Sequence, residues 1–157
     1  MPRISPFLWL DGQARAAAWF YVSIFPNSKL PGIHRYSEAG QEQNDQTPGS
    51  VMTVEFELDG HRFTALSGRP HFQFTPAVYF VVNCKTKAEV NLYGHRLSEG
   101  GALEVRQCGW LAPGSGVSWQ IVPERMPDRH SDPATAEPAM LAMKKIDIAG
   151  IARACDG

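Results

Sequence analysis

From Met52 to Leu58 the chain alternates without a break. Met52, Val54, Phe56 and Leu58 are apolar, Thr53, Glu55 and Glu57 are polar, and Asp59-Gly60 follows at once. Period-two alternation predicts a strand with one face buried. Asp-Gly predicts a type I′ turn, because both of its central residues need positive φ. A two-residue loop sets Leu58 opposite His61, Glu57 opposite Arg62 and Phe56 opposite Phe63, so an ion pair and an aromatic pair support the same register. The return strand runs to about Ser67, where Gly68-Arg69-Pro70 breaks it. Upstream, Ile4–Leu10 reads as a buried strand, ended by Asp11-Gly12, which also offers a helix cap. Over Gln13–Phe25, residues Ala14, Ala17, Ala18, Tyr21 and Phe25 fall on one helical stripe. Trp19 and Phe20 on that helix are assigned to the core. Pro26-Asn27-Ser28 stops the helix, Leu30–Tyr36 reads as a strand despite Pro31 and Gly32, and Ser37–Ser50 is a polar loop.

His71–Pro76 links this series to a second one. Ala77–Cys84 is an apolar strand, and Thr86-Lys87-Ala88-Glu89 is a capping box opening a helix with Val90, Tyr93 and Leu97 inward. Gly100-Gly101 ends it, and Leu103–Cys108 is the next strand. Gly109–Pro123 is then a hairpin around Pro113-Gly114-Ser115-Gly116, with Gly116 placed for positive φ. On its return strand Val117, Trp119 and Ile121 point one way and Ser118, Gln120 and Val122 the other. Strand, helix and strands thus occur twice, as module one (4–68) and module two (77–123). The class is α+β: two small sheets, each with a helix on one face, bending into a trough. A C-terminal helical extension (132–156) starts at Asp132-Pro133 and carries Met140, Leu141, Met143, Ile148 and Ile151, apolar residues that need a partner surface.

Composition narrows the options. A chain of 157 residues with 43% hydrophobic and 20% charged residues is one soluble domain, 1–157, with a substantial core. A net charge of -1 without a basic run speaks against nucleic acid or a membrane surface as partner. No apolar run reaches spanning length, and the N-terminus lacks the apolar core of a signal peptide. Cys84, Cys108 and Cys155 are odd in number and lack C-x-x-C spacing, which predicts idle thiols in a reducing cytoplasm rather than disulfides or a zinc site.

Six stretches carry a family likeness: Pro6-Phe7-Leu8-Trp9-Leu10-Asp11-Gly12-Gln13-Ala14, Trp19-Phe20-Tyr21, Phe25-Pro26-Asn27-Ser28, Gly49–Val54, Gly109-Trp110-Leu111 and Gly116–Pro123. Together they resemble the PhnB-like branch of the vicinal oxygen chelate superfamily, which also contains glyoxalase I, extradiol dioxygenases and antibiotic-resistance proteins. The branch is often labelled 3-demethylubiquinone-9 3-methyltransferase. The resemblance implies paired βαβββ modules forming a trough, in a homodimer. It also implies a divalent metal held by four side chains, one from each of four strands. Gln120 matches the last of those positions, and the other three fall, within about one residue, on Pro6, Ala65 and Ala77. None of these three has a metal-binding side chain, and one neutral amide does not hold a transition metal. No cofactor is therefore expected, with a divalent metal the disfavoured alternative.

Without a metal, the pocket candidates are Trp9, Thr64, Ser67, His71, Phe72, Cys108, Trp110, Ser118, Trp119 and Gln120. Four tryptophans and clustered phenylalanines favour a flat or apolar small organic ligand, oriented by a few polar groups. Arg106 lies two residues from Cys108 on the same strand face, the single hint of an activated thiol. Glu55 is placed toward solvent. The methyltransferase label finds no support in the residues: Asp11-Gly12-Gln13 is a helix cap and not a glycine-rich donor-binding turn. The function classes left are a superfamily enzyme, whether a metal-dependent lyase or dioxygenase or a metal-free acid–base catalyst, and a protein that sequesters an organic ligand.

Overall fold

A computed structural model describes residues 2–99, 110–111 and 116–124 of the chain. They fall into two compact units, Met1–Gln73 and Phe74–Gly157, dividing within the stretch expected to link the two modules. Among the described residues no helix is long and apolar enough to cross a membrane.

The first unit runs β1 (Phe7–Asp11), α1 (Ala14–Ile24), β2 (Lys29–Arg35), a 3-10 turn at Glu38–Gly40, α2 (Gln41–Asn44), β3 (Val51–Leu58) and β4 (His61–Gly68). Its sheet has the order β1-β4-β3-β2, parallel between β1 and β4 and antiparallel elsewhere. The hairpin forms in the expected register, with Leu58 on His61, Glu57 on Arg62 and Phe56 on Phe63. Asp59 and Gly60 both have positive φ, as a type I′ turn requires. One face of the sheet packs on α1. Tyr21 of the helix stacks over Phe56, and Phe56 over Phe63, with ring centroids 6.4 and 5.3 Å apart. Leu8, Leu10, Val54, Leu58 and Ala65 complete this core with Ala14, Ala17 and Ala18 of the helix. The short alanines let the helix approach closely, and the aromatic rings fill the volume between.

Four expectations differ from the observed structure. The first strand starts at Phe7 rather than Ile4, which is fully exposed. Trp19 is not core: it is 54% exposed, on the side of α1 turned away from the sheet. Its position falls outside the buried stripe Ala14, Ala17, Ala18 and Tyr21, and the stripe decides. Nor do Asp11-Gly12 cap α1. Gln13 holds the cap position without a side-chain bond, and the amide of Ala14 donates instead to Oγ of Ser67, 3.1 Å away on β4. The segment read as a plain polar loop contains the 3-10 turn and α2, ended by Asp45 in the left-handed region. Pro31 sits on β2, the edge strand, where its missing N–H leaves no ladder bond unmade and a bulge absorbs the misfit.

The second unit contains β5 (Tyr79–Cys84), α3 (Lys87–Ser98), β6 (Trp110–Leu111) and β7 (Ser118–Pro123), with sheet order β5-β7-β6 and β5 parallel to β7. The strand begins at Tyr79, two residues later than the sequence indicated. Thr86 caps α3 by accepting the amide of Glu89 at 3.2 Å, while the Glu89 carboxylate accepts the amide of Lys85. This is the capping box, reaching one residue further back than usual. Val90 and Leu97 are buried under α3 with Cys84, Trp119 and Ile121. Burial pushes the Cys84 thiol up to about 11, with help from the Glu89 charge. Gly116 has positive φ, as its place in the hairpin requires. The strand expected at Leu103–Cys108, the turn at 112–115 and the C-terminal extension lie outside the described residues.

Candidate functional site

Strand alternation gives each sheet a second face, the one without a helix. In the first unit the Ser67–Ala14 bond and the Phe56 stack fix which residues face α1. The opposite set, Phe7, Trp9, Thr53, Glu55, Thr64, Leu66 and Gly68, therefore shares the helix-free face. The register sets Phe7 beside Thr64, Trp9 beside Leu66, and Glu55 beside Thr64 on the other side.

Trp9 is the centre of this face. Its ring meets Phe72 edge-on with centroids 5.1 Å apart, and His71 at 6.4 Å and a 53° tilt. His71 and Phe72 are themselves 6.4 Å apart and nearly perpendicular. Inclined rings at these separations place the positive edge of one on the negative face of another. The indole is fixed from below. Its Nε1–H donates to the carbonyl of Arg69 at 2.7 Å, and it lies so close to Gly68 that a methyl built there would overlap the ring. Phe72 is 66% exposed and Phe7 61%, so large apolar surfaces border the indole. Such surface is costly in water unless something covers it.

Toward the hairpin turn the same face holds a cleft of about 300 Å³, lined by Ser5, Lys29, Glu55, Glu57, Arg62 and Thr64. Glu57 bridges Lys29 at 3.1 Å and Arg62 at 3.2 Å. The hydrogen-bonded Lys29 ammonium, aided by Arg62 and opposed by desolvation, holds the Glu57 carboxyl below its ordinary value. Glu55 and His34 approach within 3.8 Å, both more than half exposed. That is a solvated pair with little weight of its own.

The structure brings together Trp9, His71 and Phe72, with Thr64 further along the same face. Ser67 does not join them: it points to α1 and is 6% exposed, its hydroxyl occupied by the helix amide. In the second unit, Ser118 and Gln120 share the helix-free face of β7 with Tyr79 and Val81 of β5 as register partners. Ser118 is buried all the same. Trp119, weighed as a pocket residue, faces α3 instead and packs against Phe80 at 5.2 Å. Trp110 pairs through its backbone with Gln120, and Cys108 lies outside the described residues. Among the metal positions that the resemblance implied, Ala65 is fully buried against α1, so the helix-free neighbours Thr64 and Leu66 bracket that place. Pro6 and Ala77 carry no donor atom. Among the described residues no three His, Cys, Asp or Glu side chains come together. This donor set does not fit a divalent metal.

Sequence reasoning passed over Gly68, Arg69 and Tyr36. Gly68-Arg69-Pro70 signalled only the end of a strand, yet Gly68 and Arg69 seat the indole. What makes them matter is the parallel pairing of β1 with β4, a contact between distant segments that no local pattern announces.

A mixed α+β chain with a βαβββ unit of this order is glyoxalase-like. Comparison with known families and structures carries this to a particular branch. Residues 2–122 match the family described as 3-demethylubiquinone-9 3-methyltransferase, and the chain belongs to that family, the PhnB-like branch of the vicinal oxygen chelate superfamily. It is similar to the PhnB protein of Bacillus cereus, named for the same methyltransferase, at 31% identity over 78% of this chain and 99% of that one, with a TM-score of 0.66. Protein PA1353 of Pseudomonas aeruginosa shares the fold at 17% identity, covering 79% of this chain and 98% of that one, with a TM-score of 0.60. The genomically encoded fosfomycin resistance protein FosX of Listeria monocytogenes shares it at 12% identity over 82% and 98% of the chains, with a TM-score of 0.50. No curated protein matches the chain.

Proposed function

We propose that this protein binds a small, flat organic molecule on the helix-free face around Trp9, and does so without the divalent metal of its superfamily. The observation that carries the reading is the Trp9–His71–Phe72 cluster, three inclined rings of which the indole is held by Arg69 and Gly68 and Phe72 is 66% exposed. A flat ligand laid on such rings gains stacking and loses apolar exposure, while Thr64 and His71 offer polar groups to orient it. The absence of donor atoms at Pro6, Ala65 and Ala77 supports recognition by aromatic and small polar groups, with the amide of Gln120 as the one family position that keeps a donor. The family description names a demethylated ubiquinone, a flat ring of the kind such a surface suits.

Methyl transfer itself is less well supported. A nucleotide-type methyl donor needs free backbone amides at a strand-to-helix turn. After β1 the amide of Gly12 already donates to the carbonyls of Leu10 and Gly68, and the amide of Ala14 donates to Ser67. Two of the amides at this turn are thus taken by the protein's own groups.

The test uses metal-stripped, ¹⁵N-labelled protein titrated with tetramethyl-1,4-benzoquinone, a flat neutral ring. The indole N–H signals are followed, with Trp9→Phe identifying that of Trp9. A saturable shift of the Trp9 signal while Trp119 stays in place is expected. Signals that stay fixed, or a response confined to Trp119 on the α3 side, would overturn the proposal.

A further inference from the structure

The turn after β4 draws together contacts from three separate segments. Oγ of Ser67 closes the start of α1, and the carbonyl of Ser67 accepts the hydroxyl of Tyr36 at 2.8 Å. The carbonyl of Gly68 accepts the amide of Gly12, and the carbonyl of Arg69 accepts the Trp9 indole. The Arg69 side chain points the other way. Its Nη2 donates to the carbonyl of Asp45, 2.6 Å away, and to the Asp45 carboxylate. Asp45 ends α2 in the left-handed region, a conformation that presents its carbonyl and carboxylate to one guanidinium. Arg69 is thus bonded through its backbone to the ring at the centre of the site and through its side chain to a segment 24 residues earlier. His71 and Phe72 follow it directly, and the amide of His71 turns back to the carbonyl of Arg69 at 2.7 Å.

We infer that Arg69 is a positioning residue for the aromatic site, held in place by Asp45, and that the α2 segment is thereby coupled to the orientation of Trp9, His71 and Phe72. This rests on the reading of that cluster as a ligand site. The physical reason is simple. The carbonyl that orients the indole lies in a turn outside the sheet ladder, and the guanidinium clamp fastens that turn to Asp45 at the end of α2. An ion pair whose Asp45 carboxylate is 86% exposed adds little to global stability. It can still select one arrangement of a turn among several. Both bonds come from Nη2, whose two N–H groups are fixed in the guanidinium plane, a directional constraint that a freely rotating Lys ammonium does not impose.

Two measurements separate this inference from the one it rests on. The first needs no ligand: the Trp9 indole N–H signal and its exchange with solvent are compared in the full-length protein, Arg69→Gln, Asp45→Asn and Arg69→Lys. Asp45→Asn keeps a residue type that tolerates the left-handed backbone. Both charge-removing variants are expected to move the Trp9 signal and speed its exchange, with Arg69→Lys in between and the melting temperature almost unchanged. The second is the affinity for tetramethyl-1,4-benzoquinone, expected to fall by about two- to fivefold in Arg69→Gln, the range an exposed charged pair supplies. An unmoved Trp9 signal and unchanged affinity in both variants would refute the positioning role, and so would a signal that moves only where the melting temperature falls. If the unsubstituted protein ignores the quinone, the ligand reading fails, and the indole signal still decides the role of Arg69.

Discussion

Substituting Ser67 by Ala tests how the first unit is assembled. The hydroxyl accepts the Ala14 amide at 3.1 Å in a place where Ala14 is fully buried and Ser67 is 6% exposed. Removing it leaves a helix-start amide without an acceptor and without access to water. Helix-cap serines replaced by alanine cost about 0.5–2 kcal/mol. A buried donor left unsatisfied costs about 1–3 kcal/mol. The two figures describe the same event and are not summed, so about 1–2 kcal/mol is the expected loss. In a chain of this length each kcal/mol lowers the melting temperature by about 2–4 °C, giving about 2–8 °C in all. Urea unfolding followed by circular dichroism supplies the free energy directly, and an unchanged slope would show that the unfolded state is the same. A loss below about 0.5 kcal/mol, the ordinary scatter of surface substitutions, would refute the assignment of Ser67 as the cap of α1.

Two further outcomes follow from the opposite, helix-free face of the same sheet. Gly68→Ala puts a methyl into the space of the Trp9 indole, and overpacking of this kind costs about 1–3 kcal/mol. In a Trp9→Ala background the same change should be close to neutral, and a cost that persists there would show that the ring is not what Gly68 accommodates. Glu57, held below its ordinary value by Lys29 first, contributes stability above the unfolded carboxyl's titration range and loses it as pH falls through the lower folded value. The stability gap between the unsubstituted protein and Glu57→Gln should therefore narrow in acid, and a gap independent of pH would contradict the pairing.

Much of the architecture was legible from period and turn chemistry. The 51–68 hairpin could be placed to the residue because strict alternation, an Asp-Gly turn and two cross-strand pairs all agreed on one register. The stripe on α1 and the cap of α3 were readable for the same reason. Trp19 was misplaced because its size suggested burial, while the helix period put it outside the stripe. The cap of α1 was missed because its acceptor is 53 residues away. The candidate site was half legible. Trp9, His71 and Phe72 could be named as aromatic candidates, yet their convergence depends on β1 lying parallel to β4, which also turns Ser67 and Ala65 away from that face. Glu55 was placed toward solvent, and it is exposed, but on the same face as the indole.

Whether recognition here rests on aromatic and small polar groups instead of a metal is decided by thermal melting of the chelator-stripped protein with Ni²⁺, Zn²⁺, Mn²⁺, Co²⁺ or Fe²⁺ added separately. A ligand held only by the folded state at a hundredfold excess over Kd stabilises by about 2.7 kcal/mol, a shift of several degrees in a chain of this length. Melting temperatures are expected to stay together for all five ions. A saturable rise with one of them, abolished by Gln120→Ala, would contradict the metal-free reading and return the protein to the metal-dependent chemistry of its superfamily.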